Sequence, residues 1–215
     1  MNQPEKVNAG VFSSWYRRTR YMLLTGDGIS VPCAECRACC TSSKFIHIYP
    51  QEKESISRIP KSLLFKAPLS KESLLLMGYD QNGHCPMYKG NSCAIYPFRP
   101  RTCHNFDCRV FTAAGLLPEE DNSIREQVKR WLFSYPHESD HKLHQSITAT
   151  AKFIREHSDI FPDGKCPPDS GQLAVFAVKV ACTFSKCTQE GKSEVETAEA
   201  IVFASREFER KRKAV

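Results

Sequence analysis

A set of cysteines between residues 33 and 108 limits the structures open to this chain more than any other feature of its sequence. Eight of the chain's 11 cysteines lie there, four in a C-x2-C-x2-C-C pattern and four spread over residues 85–108. A C-x2-C turn aims two thiolates at one metal, and four thiolates complete a zinc site or hold an iron–sulfur cluster. The spacing therefore predicts bound zinc or iron, with an iron–sulfur cluster as one form of the iron. We call these eight residues the cysteine array: Cys33, Cys36, Cys39, Cys40, Cys85, Cys93, Cys103 and Cys108.

The adjacent pair Cys39-Cys40 bears on how many metals the array holds. Neighbouring side chains point in different directions in a helix, and they do not easily chelate one ion from a loop. The pair therefore indicates two metals, or one polynuclear cluster whose different atoms bind the two sulfurs. One cluster accompanied by several redox or structural thiols is the alternative.

Prolines make the second half of the array rigid. Pro86 follows Cys85, and Pro97 and Pro100 precede Cys103. Each proline fixes its own φ and restricts the residue before it, as a preorganised ligand loop requires. Basic groups close in sequence could offset the negative charge of thiolates, or could be solvated surface cations: Lys89, Arg99, Arg101, His104 and Arg109.

Disulfides are the alternative explanation for so many cysteines. The first residues are polar and carry no apolar signal segment, so export is unsupported and we expect a cytoplasmic protein. A cysteine-rich pattern in a reducing compartment favours metals. An odd total of 11 also argues against a fully paired disulfide framework.

The order of the segments predicts an α+β fold. We expect an N-terminal helix or extension over 1–27, a cysteine-cluster metal-binding domain with short strands over 28–110, and a mostly helical region packed on it over 111–215. A hydrophobic content of 41% can bury a core, and no apolar run is long enough to span a membrane. The net charge of +6 is compatible with an acidic partner but does not favour nucleic-acid binding.

Local patterns predict most of the elements in the first half of the chain. We expect residues 1–10 to be flexible and residues 12–24 to form a helix, either packed on the domain or serving as a basic docking surface. Strands are predicted at 44–49 and 73–79, and a helix after Pro50. A hairpin that returns over Gly90-Asn91-Ser92 should bring Cys85 and Cys93 near each other.

Apolar periodicity in the second half predicts four helices, at 119–133, 139–157, 172–184 and 194–212. Three cysteines fall there, outside the array. Cys182 lies in an apolar helical context and is predicted to be buried as a small hydrophobic residue. The sequence around Cys166 and Cys187 indicates burial less clearly. Recruitment of one of them as an extra metal ligand is the alternative.

The cysteine pattern resembles a known family. C-x2-C-x2-C-C, then C-P-x-Y and C-x-I-Y-x-x-R-P-x-x-C with a final cysteine, is similar to the YkgJ family of cysteine-cluster proteins over about residues 33–110. That family is described as zinc- or iron-chelating, and flagellin lysine-N-methylases share the motif. The resemblance implies all eight cysteines of the array as ligands. Arg37 stands where the family usually has a small residue, and His104 where it commonly has arginine, which affects the local charge balance.

Three functions are compatible with these observations. The first is a metal-binding protein that chelates zinc or iron, including an iron–sulfur cluster, through the array. The second is a cluster-dependent enzyme related to the flagellin lysine-N-methylases, although the chain has no G-x-G-x-x-G loop and no evident acid–base pair. The third is a structural zinc module whose helical half binds a protein or a nucleic acid; the sequence favours a protein partner over a nucleic acid.

Overall fold

The computed structural model describes residues 5–29, 31–32, 36–68, 73–119, 122–164 and 166–214. The fold is α+β, as predicted. The strands are β1 Val7–Val11, β2 Ile46–Ile48, β3 Leu64–Lys66, β4 Leu75–Met77, β5 Tyr88–Lys89, β6 Ser92–Cys93 and β7 Trp131–Ser134. The helices are α1 Phe12–Thr25, α2 Lys53–Arg58, α3 Arg101–Asn105, α4 Arg109–Ala114, α5 Asn122–Arg130, α6 Glu138–Glu156, α7 Ser170–Gln189 and α8 Glu194–Ala214.

The chain divides into two compact units. The cysteine unit comprises Asp27–Asp107 and Asp121–Gln127. The helical unit comprises Met1–Gly26, Cys108–Glu120 and Val128–Val215. Among the described helices of both units, none combines the length and apolar character that crossing a membrane demands.

A three-stranded antiparallel sheet in the order β2-β4-β3 forms the base of the cysteine unit. Alternation along β2 buries Ile46 and Ile48 and exposes His47. The two isoleucines join a core with Met77, Met87 and others. This core supports the cysteines, because the side chains of three array members pack directly against it: Cys85, Cys93 and Cys103.

The helical unit contains a parallel pair of strands that the sequence does not predict. β1 pairs with β7, so Val7 lies beside Trp131 and Val11 beside Ser134. The expectation of flexibility over residues 1–10 is therefore wrong for Val7–Gly10, while residues 1–4 lie outside the described part of the chain. The helix predicted over 119–133 is also wrong at its end, since it stops at Arg130 and β7 alternates buried Trp131 and Phe133 with exposed neighbours.

Helix α7 is the centre of the helical unit. It contacts α4, α6 and α8, and its small buried side chains allow the neighbouring helices to approach closely. Cys187 is buried on α7. The prediction that Cys182 is buried is wrong: the residue is exposed, and its sulfur lies 3.3 Å from the hydroxyl of Tyr16. Cys166 is half-buried, and its sulfur lies 3.7 Å from the Ile154 carbonyl and 3.9 Å from that of Pro167.

A half-buried histidine on α6 has two hydrogen-bonding partners. His144 Nε2 lies 3.3 Å from the Thr112 carbonyl and so carries the proton, which leaves Nδ1 to accept a hydrogen bond from the Tyr135 hydroxyl at 2.6 Å. The ring also stacks on Phe12 at 4.4 Å between centroids. Burial lowers the pKa of His144 below its ordinary value of 6.5.

We expect this histidine to make the helical unit less stable in acid. Because its pKa is lower in the folded state, the unfolded state binds more protons below pH 6.5, and stability falls as the pH drops through that value. In His144→Gln this part of the pH dependence should vanish. Urea unfolding at about pH 7.5 and about pH 5, followed by tryptophan fluorescence, measures the difference. An equal loss of stability in both proteins would contradict the assignment.

Candidate metal centre

A two-residue turn sets the geometry of the hairpin that carries Cys85 and Cys93. Gly90 and Asn91 both have positive φ, 53° and 63°, which is the conformation that a tight hairpin turn of primed type requires. Tyr88 consequently pairs with Cys93 in the β5–β6 register, and the amide of Tyr88 donates to the Cys85 carbonyl at 2.8 Å. The predicted hairpin is confirmed.

The first cysteine block lies against this hairpin. Cys39 and Cys40 belong to a short 3-10 helix, Ala38–Thr41. The Cys85 amide donates a hydrogen bond to the Cys40 carbonyl at 2.8 Å, which joins residues 45 positions apart in the sequence. Cys39 is exposed whereas Cys40 is half-buried, so the two neighbouring side chains occupy different environments.

A third segment brings in Cys103. The 3-10 helix Tyr96–Phe98 and the turn at Pro100 lead into α3, where the Cys103 amide donates to the Pro100 carbonyl at 2.8 Å. The carboxylate of Glu52 holds the start of α3, because it accepts hydrogen bonds from the amides of Arg101 at 2.5 Å and Tyr49 at 2.7 Å. Glu52 has no counterpart among the predicted site residues, and its role follows only from a contact between segments distant in sequence.

Four thiols from these three segments lie close together, and their charges affect the ionisation of Cys40, Cys85 and Cys103. Burial, and then the charge of neighbouring thiols, raises the pKa of Cys103 to about 12 and of Cys40 to about 11, and burial also raises the pKa of Cys85. The neighbouring thiols that act on Cys103 are those of Cys85, Cys40 and Cys93. We call these four residues the four-cysteine cluster.

The chemistry of this cluster fits a metal cation. Without one, burial and repulsion from neighbouring thiols favour the protonated form of Cys40, Cys85 and Cys103. A cation would stabilise the thiolates, which are the ligands that zinc and iron–sulfur sites use. In the described residues, which leave out Cys33, no three His, Cys, Asp or Glu side chains are already arranged to hold a metal ion.

Two arginines lie close to the four-cysteine cluster. The charge of Arg99 opposes the rise in the pKa of Cys103, and that of Arg37 opposes the rise in the pKa of Cys40. Arg99 is one of the cations predicted to offset thiolate charge. Arg109 is another of those cations, but it is buried in the helical unit, where its guanidinium donates to the Ala9 carbonyl at 3.0 Å.

The other array members have different surroundings. Cys36 is half-buried, and its charge acts on Cys40. Cys33 lies outside the described residues. Cys108 belongs to the helical unit, where it is 4% exposed and its sulfur accepts a hydrogen bond from the Trp131 indole at 3.1 Å. The ten described cysteines are all thiols, none of them joined in a disulfide.

Comparison with known families bears on the same stretch of chain. Residues 32–129 match a family model described as CxxCxxCC, "Putative zinc- or iron-chelating domain". We refer to residues 32–129 as the CxxCxxCC domain, after the family model that they match. The cysteine-cluster resemblance read from the sequence is thereby confirmed, and the CxxCxxCC domain contains all eight cysteines of the array. Its description supports metal binding by this chain. No curated protein and no solved structure matches the chain.

Proposed function

We propose that this protein binds zinc or iron through its CxxCxxCC domain, with the four-cysteine cluster as the principal ligands. The observation that carries the proposal is the convergence of Cys40, Cys85, Cys93 and Cys103 on one region of the cysteine unit, from three separate segments. Thiols brought this close repel one another once ionised, and a bound cation would replace that repulsion with attraction. The remaining array members, Cys33, Cys36, Cys39 and Cys108, are proposed as further ligands.

Backbone contacts and nearby positive charges both support the proposed site. The hairpin turn and the Glu52 contacts fix the backbone that carries Cys93 and Cys103. Four thiolates around a divalent ion leave a net charge of about −2, and Arg37 and Arg99 are placed to offset it. When bound, zinc would supply structural cohesion and Lewis acidity, whereas an iron–sulfur cluster would supply electron transfer.

Elemental analysis of the protein purified without oxygen tests this proposal. We expect zinc or iron at about one equivalent or more per chain, since the cluster supplies one set of four thiolates. A colourless protein with zinc would indicate a zinc centre, and a brown protein with iron and acid-labile sulfide would indicate an iron–sulfur cluster. Less than about 0.1 equivalent of both metals, after growth in medium supplemented with each, would overturn the proposal.

A further inference from the structure

Arg37 connects the first cysteine block to the hairpin. Its Nε donates to the Asn91 carbonyl in the hairpin turn, and its terminal Nη1 donates to the Cys36 carbonyl at 2.9 Å. Residues 37 and 91 are 54 positions apart, so this side chain bridges two segments that the sequence does not place together. The bridge ends at the backbone of one array member and at the turn that sets the position of others.

The acceptor in the hairpin turn is itself held in place. The Tyr88 hydroxyl donates to Asn91 Oδ1 at 2.7 Å, and the positive φ of Asn91 belongs to the tight turn. Arg37 therefore binds a preset carbonyl. A second link between the same two segments is the hydrogen bond from the Cys85 amide to the Cys40 carbonyl.

The geometry of a guanidinium suits this bridge. Its N–H groups form a planar fork, so Nε and a terminal nitrogen can donate in different directions at the same time. A lysine ammonium has the same charge but is a single point on a flexible stem. Arg37→Lys consequently separates the charge near Cys40 from the connection between the two segments.

We propose that Arg37 is a positioning residue, which holds the first cysteine block against the hairpin so that Cys36 and Cys40 reach the same metal as Cys85 and Cys93. This inference rests on the proposed metal-binding function. The added element is a residue that binds no metal itself. Arg37 instead determines how well the ligands are arranged in the metal-free protein.

Metal affinity of two Arg37 variants tests the inference. We expect Arg37→Gln and Arg37→Lys each to weaken zinc binding by about 10- to 100-fold, the range for groups that orient metal ligands. Competition with a chromophoric chelator measures the zinc affinity. If the purified protein contains iron, the same competition is done with ferrous iron under nitrogen. Lys66→Gln is the control: it removes an exposed cation from β3 of the same unit and should leave the affinity unchanged.

Amide hydrogen exchange in the metal-free protein gives a second readout. Loss of the bridge should speed exchange at the Cys85 amide, which bonds across to Cys40, more than at the Ala94 amide, which bonds to Met87 within the hairpin segment. If the Arg37 variants fail to fold, Tyr88→Phe loosens the Asn91 end of the bridge instead, and should produce a smaller change in the same direction.

Three outcomes would overturn the inference. Wild-type affinity and exchange in Arg37→Gln would show that the bridge does not arrange the ligands. Weak binding by Arg37→Gln with wild-type binding by Arg37→Lys would show that only the charge matters. Equal weakening by Lys66→Gln would show a general charge effect. Failure of the proposed function itself appears separately, because substitution of Cys103 would then leave the metal content unchanged.

Discussion

Serine in place of Cys103 is expected to remove most of the bound metal from this protein. Cys103 packs against the core of the cysteine unit, and burial together with three neighbouring thiols raises its pKa to about 12. A thiol in that position ionises only if a cation compensates it. Serine keeps the shape but supplies no thiolate, so the affinity should fall by more than about 100-fold, beyond the loss caused by changing a supporting residue.

Cys182 supplies the matched control for this prediction. Cys182→Ser makes the same chemical change at an exposed position in the helical unit, outside the CxxCxxCC domain. Metal content after purification and the change in melting temperature on adding a chelator report the result, because a ligand that binds only the folded state stabilises it. We expect the chelator to lower the melting temperature of Cys182→Ser as in the parent protein and to leave Cys103→Ser almost unaffected. Equal metal content in all three proteins would exclude Cys103 as a ligand.

The parts of the site that were predictable from sequence depend on local signals. The hairpin follows from Gly90-Asn91, since these residues adopt positive φ readily and the strands on either side are adjacent in the chain. The strand predicted at 44–49 likewise follows from a local apolar pattern, and the structure has it as β2, Ile46–Ile48. Spacing also identified the resemblance to the cysteine-cluster family, and the family match over residues 32–129 confirms that resemblance.

The parts that were not predictable depend on partners far away in the sequence. Residues 131–133 continue the apolar pattern of α5, but they form a strand because β1, more than a hundred residues earlier, pairs with them. Arg37 and Asn91 meet for the same kind of reason. Cys182 lies on an α7 that is apolar on several sides, and periodicity cannot tell which side of such a helix faces solvent. Cys108 belongs to the motif in sequence but to the helical unit in the fold.

Alanine in place of Phe12 is expected to destabilise the helical unit by about 3–5 kcal/mol, the usual cost of deleting a buried phenylalanine. Phe12 is 0% exposed. Its ring lies edge-on to Phe133 with centroids 4.9 Å apart, and it stacks on His144 at 4.4 Å. Truncation would leave a cavity between α1, β7 and α6, and the surrounding rings would lose their contacts with Phe12.

The two tryptophans make this effect measurable in one unit alone. Trp15 and Trp131 are the only tryptophans of the chain, both are buried, and both lie in the helical unit, so their fluorescence follows the unfolding of that unit. Phe203→Ala is the control, because Phe203 is 66% exposed on α8 and its removal should cost less than about 0.5 kcal/mol. Urea titrations of the parent and both variants give the free energies of unfolding. A cost below about 1 kcal/mol for Phe12→Ala would mean that the aromatic cluster can close over the missing ring, and that tight packing around Phe12 is not what holds α1 in place.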